Sequence, residues 1–298
     1  MRNYILRFWP FRGRGFHTGR RSWTFHIVLF LLTAITTTIA GTIYVKEPSD
    51  GWVVFVLRGL YFSVPLMAIL LVHEMGHYLV GRRRRMDVTP PYFIPAIPPL
   101  GTFGAFIKIR SAITNLKVLV EIGASGPVAG AALAIPLLFV GLCLSEAHPG
   151  VSSTGPGLTF GSSIILELLC LIRFGDFSSN ATIIMHPIAV ASWFGCFVTA
   201  MNLLPIGQLD GGHVTYALFG KRRAQIISFV VFGCLIPMGI LLWLGWLVFG
   251  ALVLFLGLRH PEPLDPDTPL DRNGRILGWI AVALFILTFI PVPVSVIE

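Results

Sequence analysis

Charge is scarce in this chain. Of its 298 residues, 22 are Lys or Arg and 14 are Asp or Glu, while 55% are hydrophobic. The mean hydropathy is +0.80. Such a sequence has too little ionic surface to enclose a soluble globular domain. Polar stretches are short as well. The longest, roughly Ser145–Asn180, is Gly/Ser-rich, and the apolar patch Ile164–Ile172 interrupts it, leaving no room for an added soluble domain. The four cysteines, Cys143, Cys170, Cys196 and Cys234, form no C-x-x-C pair and lie in apolar surroundings. They read as small lipid- or core-facing residues and say little about redox compartment. No internal repeat is long enough to suggest an inverted-repeat transporter.

Apolar runs take the place of the missing charge. A bilayer core is crossed by about 20 apolar residues, and runs of that order recur at Trp23–Val45, Val53–Val80 and roughly Val118–Leu144. A fourth extends from His186 to about Leu204 and resumes, after a break, at Leu209–Phe219. Ile226–Leu258 is too long for one ordinary span and contains Pro237, Gly239 and Gly245, so two short spans are expected there. Ile276–Pro291 is the last. The expected fold is an all-α polytopic membrane protein with about six to seven transmembrane helices. Residues 23–298 should form one membrane domain, preceded by a basic cytoplasmic segment, 1–22.

The net charge of +8 does not signal nucleic acid, because the basic residues are not interleaved with an aromatic face. They gather at span ends: six arginines before Trp23, then Arg82–Arg85, then Lys221–Arg223. The positive-inside rule makes these clusters cytoplasmic. The N-terminus then lies inside, residues 145–185 lie outside, and both the second and the fourth runs end on the cytoplasmic side. The first apolar run exceeds a signal-peptide core and lacks a convincing A-x-A site, so a retained anchor is expected. The Arg-rich, Ser-poor start makes a poor transit peptide. A bacterial cell membrane is the expected location, with a plastid membrane left open.

Thr89–Arg110 is apolar but carries Pro90, Pro91, Pro95, Pro98 and Pro99, which rule out a regular helix. After Gly101 the pattern alternates, with Phe103, Ala105, Ile107 and Ile109 on one side and Thr102, Gly104, Phe106, Lys108 and Arg110 on the other. That is strand periodicity. Non-helical backbone near a membrane must be buried in protein or line a wet cavity. A small re-entrant or interfacial β-hairpin beside the functional site is expected, the alternative being an ordinary cytoplasmic loop.

Near the end of the second run stands His73-Glu74-Met75-Gly76-His77, an H-E-x-x-H motif. At helical spacing His73 and His77 share one face, where two imidazoles can hold one metal. Glu74 is placed to take a proton from a water that the metal activates. Ionisable residues at membrane depth are costly and usually functional. A hydrolytic zinc needs three protein ligands and an open position. Asp210, the only carboxylate between Asp176 and Glu262, is the candidate third ligand. Pro205 and Gly207 break the helix before it, and Gly211-Gly212 allow close backbone approach. The other reading of Asp210 is a cap on a helix starting near Gly211. Beside the first motif, ligand is preferred. The small-residue face Gly123, Ala124, Gly126, Gly130 and Ala131 should pack against the metal-bearing helices.

Taken together, His73–His77, Gly123-Ala124-Ser125-Gly126-Pro127, and Asn202-Leu203-Leu204-Pro205 through Leu209-Asp210-Gly211 resemble the site-2 protease family of intramembrane zinc metalloproteases. Gly101–Ile107 is similar to that family's membrane-associated β segment. His186-Pro187 and Arg259-His260-Pro261 resemble its compact members without a PDZ domain. The resemblance runs from about residue 60 onward and implies one zinc ion held by His73, His77 and Asp210. It also implies Glu74 as general base and proton shuttle, and Asn202 as a polar contact to the substrate carbonyl or its oxyanion. A helix–helix hydrogen bond remains open for Asn202. The implied partners are a transmembrane protein substrate and the lipid bilayer, with no nucleic acid; oligomeric state is unreadable.

His213 could be a ligand, but contact behind the ligands is the preferred role. For His186, His260 and Glu167 a solvated or interfacial role is expected, and for His26 a structural one. Two rival functions compete with this reading: a transmembrane metal-ion transporter, and a non-catalytic protease-like scaffold.

Overall fold

Apolar runs become the longest helices because a backbone in lipid must satisfy every N–H and C=O within its own segment. The computed structural model describes residues 20–45, 51–149, 157–175 and 181–297. Most of the expected basic segment 1–22 and parts of the segment 145–185 fall outside these residues. In chain order the elements are α1 (Arg20–Gly41), α2 (Trp52–Arg58), α3 (Leu60–Arg83), β1 (Tyr92–Pro95), β2 (Thr102–Phe106) and α4 (Leu116–Cys143). There follow β3 (Glu146–Pro149), β4 (Gly157–Phe160), α5 (Ile164–Phe174), β5 (Ala181–Ile184) and α6 (Pro187–Asn202). The chain continues with α7 (Asp210–Leu241), α8 (Gly245–Leu256), α9 (Arg272–Thr288) and β6 (Val294–Ile297).

Among the described residues, four helical segments are long and apolar enough to cross a membrane: Trp23–Tyr44, Trp52–Arg83, Leu116–Cys143 and Asp210–Leu241. Helices α6, α8 and α9 are shorter, at 16, 12 and 17 residues. The stretch expected to hold two spans is divided, with α7 ending at Leu241 and α8 starting at Gly245. A second break falls at Gly220, whose φ of 77° interrupts the helical path of α7 just before Lys221.

Helix α4 is the central element. One core cluster joins Leu138 and Leu142 of α4 to Phe62, Leu66 and Ile69 of α3 and to Trp193 and Phe194 of α6. A second joins Leu119, Val120 and Ala124 of α4 to Val214 and Tyr216 of α7 and Ala281 of α9. By contrast Trp23, Ile27, Leu31, Ile35 and Ile39 of α1 are exposed. An apolar face of that length needs an apolar solvent. Asn115 caps α4 by accepting from Val118 N–H at 3.0 Å, and Asp271 caps α9 by accepting from Gly274 N–H at 2.8 Å.

The proline-rich segment is a hairpin. β1 and β2 pair antiparallel, with Tyr92 opposite Phe106 and Phe93 opposite Ala105. The strand ends earlier than the alternation suggests. Beyond Phe106, contact continues through an isolated bridge between Val88 and Ile109. Thr36 of α1 donates to Gly101 C=O at 2.7 Å, and His26 approaches Pro91 C=O at 3.0 Å. His26 thus has the structural role expected of it, fixing α1 to the hairpin.

Two further strand pairs have no counterpart in the sequence expectations, β3 with β5 and β4 with β6, both antiparallel. The apolar patch Ile164–Ile172 lies in the amphipathic helix α5, capped by Ser163.

Candidate metal centre

Helix α3 ends directly after its H-E-x-x-H motif, and the local sequence explains why. Arg84 N–H bonds to Val80 C=O, Arg85 N–H to Arg82 C=O at 3.0 Å, and Met86 N–H to Gly81 C=O at 2.9 Å. Arg85 takes φ 58°, the left-handed residue of a Schellman stop. Arg82 and Arg83 in the last turn also complement the helix dipole. The motif is therefore one turn from the basic end of a buried helix.

His73, Glu74 and His77 are all buried, at 3%, 6% and 6% exposure. The two imidazoles stand edge to face with centroids 5.1 Å apart. His77 Nδ1 lies 2.8 Å from Ile122 C=O of α4. A carbonyl can only accept, so Nδ1 carries the proton and Nε2 presents its lone pair to the site.

The carboxylate comes from the α6–α7 turn. Gly207 takes φ 52°, and a Cβ on Gly211 would strike Leu203 C=O, so the chain folds tightly back on itself. The N-cap of α7 is Leu209 and has no side-chain cap bond. Asp210 is thus not a helix cap, the alternative weighed from sequence. Its Oδ2 lies 3.4 Å from His73 Nε2 and 3.2 Å from His77 Nε2.

These three ligand atoms all lie within 4.8 Å of one another. The donor set fits a divalent ion. A tetrahedral site with bonds of about 2.1 Å has edges of roughly 3.4 Å, and two imidazoles with one carboxylate leave a fourth position open. Among the described residues, this is the one group of three or more His, Cys, Asp or Glu side chains that could hold a metal.

The glycines of α4 make room for these groups. A Cβ on Gly126 would overlap the His77 ring, and one on Gly130 would sit 3.1 Å from His73 Nδ1. A Cβ on Gly76 would strike Ser125 C=O, and one on Gly123 would come within 2.6 Å of His213 Cβ. The small-residue face packs as expected, against both metal-bearing helices.

Glu74 sits beside His73 with its carboxylate toward the backbone N–H of Ile107, just past β2. This juxtaposition of hairpin and motif was expected only in outline. Asn202, at the end of α6, places Nδ2 3.3 Å from His73 Nε2. That contact lies within the site and is at the same time a hydrogen bond between α6 and α3, so both readings of Asn202 stay open.

His213 is not among the three clustered groups. Its Nδ1 lies 2.5 Å from His260 Nε2, and the His260 ring also lies tilted against Tyr216 with centroids 4.8 Å apart. His260 is half-buried, so the solvated or interfacial role expected of it is joined by a contact to His213 that the sequence did not signal. It is drawn in because the segment after α8 is strapped over the Asp210 turn. Gln208 donates to Leu256 C=O at 3.2 Å, and Ser228 donates to Leu258 C=O at 2.9 Å while accepting from Gly207 N–H at 3.0 Å. His186 caps α6, accepting from Ile188 N–H at 3.3 Å, and Glu167 accepts from the Ser162 hydroxyl.

With this geometry in view, the comparisons with known proteins agree in direction. The profile of Peptidase family M50 matches residues 61–245. The chain is 34% identical over 256 residues to the probable zinc metalloprotease EGY1, chloroplastic, of Arabidopsis thaliana, covering 83% of this chain and 46% of that protein. It is 34% identical over 245 residues to the protein of the same name from Oryza sativa subsp. japonica, covering 80% and 41%. To the probable zinc metalloprotease EGY2, chloroplastic, of Oryza sativa subsp. indica it is 30% identical over 239 residues, covering 79% and 43%. The chain thus spans less than half the length of these curated relatives. No solved structure gives a significant match. The matched region contains the H-E-x-x-H helix, the hairpin, the glycine face and the Asp210 turn, and on that ground the chain belongs to peptidase family M50, the site-2 protease family.

Proposed function

We propose that this chain is an intramembrane zinc metalloprotease that hydrolyses peptide bonds of transmembrane substrates. The observation that carries the reading is the convergence of His73 Nε2, His77 Nε2 and Asp210 Oδ2 beside a buried Glu74, on helices of membrane-spanning length. Family membership and relatives named as probable zinc metalloproteases point the same way.

In this reading His73, His77 and Asp210 hold one zinc ion. When bound, the ion supplies Lewis acidity, which acidifies water and polarises a peptide carbonyl. Glu74 takes the proton from the attacking water and returns it to the leaving amine. The Ile107 N–H steers the Glu74 carboxylate. Asn202 Nδ2, beside His73, donates to the oxyanion as the carbonyl carbon becomes tetrahedral.

A transmembrane substrate arrives as a helix whose carbonyls are already bonded, so it must be unwound before attack. The free edge of β2 offers backbone groups for strand addition and would hold the unwound segment extended. Helix-destabilising residues in the substrate would favour cleavage. Phe103 and Ile97, at 78% and 81% exposure, extend this hairpin outward as an apolar margin.

We further assign residues 23–298 to one membrane domain, with α6, α8 and α9 completing six to seven crossings beside the four long helices. The site opens toward Arg82–Arg85 and Lys221–Arg223, the cytoplasmic side of a bacterial cell membrane or its counterpart in a plastid.

The test is co-expression with a panel of single-span membrane proteins, comparing wild type with Glu74→Gln. Fragments that appear only with wild type support the assignment. Fragments present in both samples remove it.

A further inference from the structure

Away from the metal centre, a cavity of about 420 Å³ opens between the end of α3, the start of α4 and the start of α9. Its size lies within the ~300–1,000 Å³ range of small-molecule pockets. The lining divides by chemistry. Val80, Val128 and Leu277 form an apolar wall, while Arg83, Arg84 and Lys117 form a cationic rim. The rim lies one turn past the H-E-x-x-H motif, at the basic end of a spanning helix.

The rim charges are arranged rather than merely numerous. Glu121 holds the Arg84 guanidinium through both carboxylate oxygens. Asp271 holds Lys117 Nζ at 2.6 Å. Arg83 makes no ion pair among the described residues, so the rim keeps an excess of positive charge over an apolar floor. Two pinned cations and one unpaired arginine above an apolar wall match an amphipathic anion, not a soluble one.

We propose that this cavity binds an anionic glycerophospholipid. The phosphate sits against Arg83, with Arg84 and Lys117 beside it, and the first methylenes of an acyl chain lie along Val80, Val128 and Leu277. Basic pockets between transmembrane helices suit such headgroups, whereas a soluble phosphate would leave the apolar wall wet. The cavity also includes Ser125, whose carbonyl closely meets Gly76 of the motif helix. The bound lipid would therefore brace the α3–α4 contact that backs the metal centre.

The experiment reconstitutes the full chain into phosphatidylcholine vesicles containing roughly one-fifth phosphatidylglycerol, a composition chosen to supply the anionic headgroup. Lipids retained after mild detergent extraction are then counted by native mass spectrometry. Wild type should retain phosphatidylglycerol at about fivefold or more above its bulk proportion, and Arg83→Gln should lower that enrichment about fivefold. Val128→Phe, which fills the apolar wall and leaves every charge in place, should abolish retention. Circular dichroism and thermal melting of each variant verify the fold. Retention at the bulk ratio in wild type would overturn the proposal, as would enrichment that survives Val128→Phe. Displacement by glycerol 3-phosphate as effective as by intact lipid would overturn the lipid in favour of a soluble phosphate.

Discussion

The His77 imidazole occupies the space that a side chain on Gly126 would need. The ring is also tied to the same helix by the Ile122 carbonyl, one turn earlier and 2.8 Å from Nδ1, so retreat from Gly126 would break that bond. Gly126→Ala should displace His77 and abolish stoichiometric zinc binding while leaving helical content unchanged. Gly130→Ala, whose Cβ would sit 3.1 Å from His73 Nδ1, should weaken binding less. Zinc stoichiometry and circular dichroism on both variants check the order. Equal zinc content in Gly126→Ala and wild type would contradict it.

Glu74 and Asp210 should separate catalysis from metal retention. Glu74→Gln keeps the three ligands and removes the base, so turnover should fall by about 10²–10⁴ with zinc retained. Asp210→Ala leaves two imidazoles and should lose both zinc and turnover. Chelator titration followed by a cleavage assay distinguishes the two. In wild type and Glu74→Gln, but not in Asp210→Ala, saturating zinc should stabilise the fold, by about 2.7 kcal/mol at a hundredfold excess over Kd.

The strap after α8 acts on the Asp210 turn through the His213–His260 contact. His260 touches His213 and not a ligand, so His260→Ala should lower zinc affinity by less than the roughly 10–100-fold that follows loss of a group bonded directly to a ligand. Helical content should not change. An affinity equal to wild type would mean that the contact is packing alone.

Acid should release the start of α9 before the rest of the bundle. Asp271 caps that helix and pairs with Lys117, and the Lys117 ammonium, then the Gly274 amide, hold its carboxyl below the ordinary value of 3.8. A lowered folded-state pKa contributes stability above the unfolded value and loses it as pH falls through the folded one. The opening constant at Gly274 and Arg275, from hydrogen exchange corrected for its intrinsic pH dependence, should therefore be flat from about pH 8 to 5 and rise below about pH 4. Asp271→Asn should flatten that acid-side rise.

Much of this was legible in the residues, for local reasons. The i, i+4 spacing puts His73 and His77 on one face, an isolated carboxylate in an apolar stretch needs a partner, and Pro90 through Pro99 exclude a helix. The Gly123–Gly130 face announces close helix approach. Contacts made between distant parts of the chain were not legible. His260 reaches His213 across 47 residues, with no periodicity to signal it. The four-residue strands β4 and β6 pair although residues 161–293 lie between them, and so short a ladder leaves no alternation to read. The amide of Ile107 reaches Glu74 only because the hairpin folds onto α3.

Anomalous diffraction at the zinc edge from crystals of the full chain tests the central claim most directly. The account predicts one peak, equidistant within bonding range from His73 Nε2, His77 Nε2 and Asp210 Oδ2, that disappears in Asp210→Ala. A peak coordinated elsewhere, or wild-type protein with no peak among those three atoms, would contradict it.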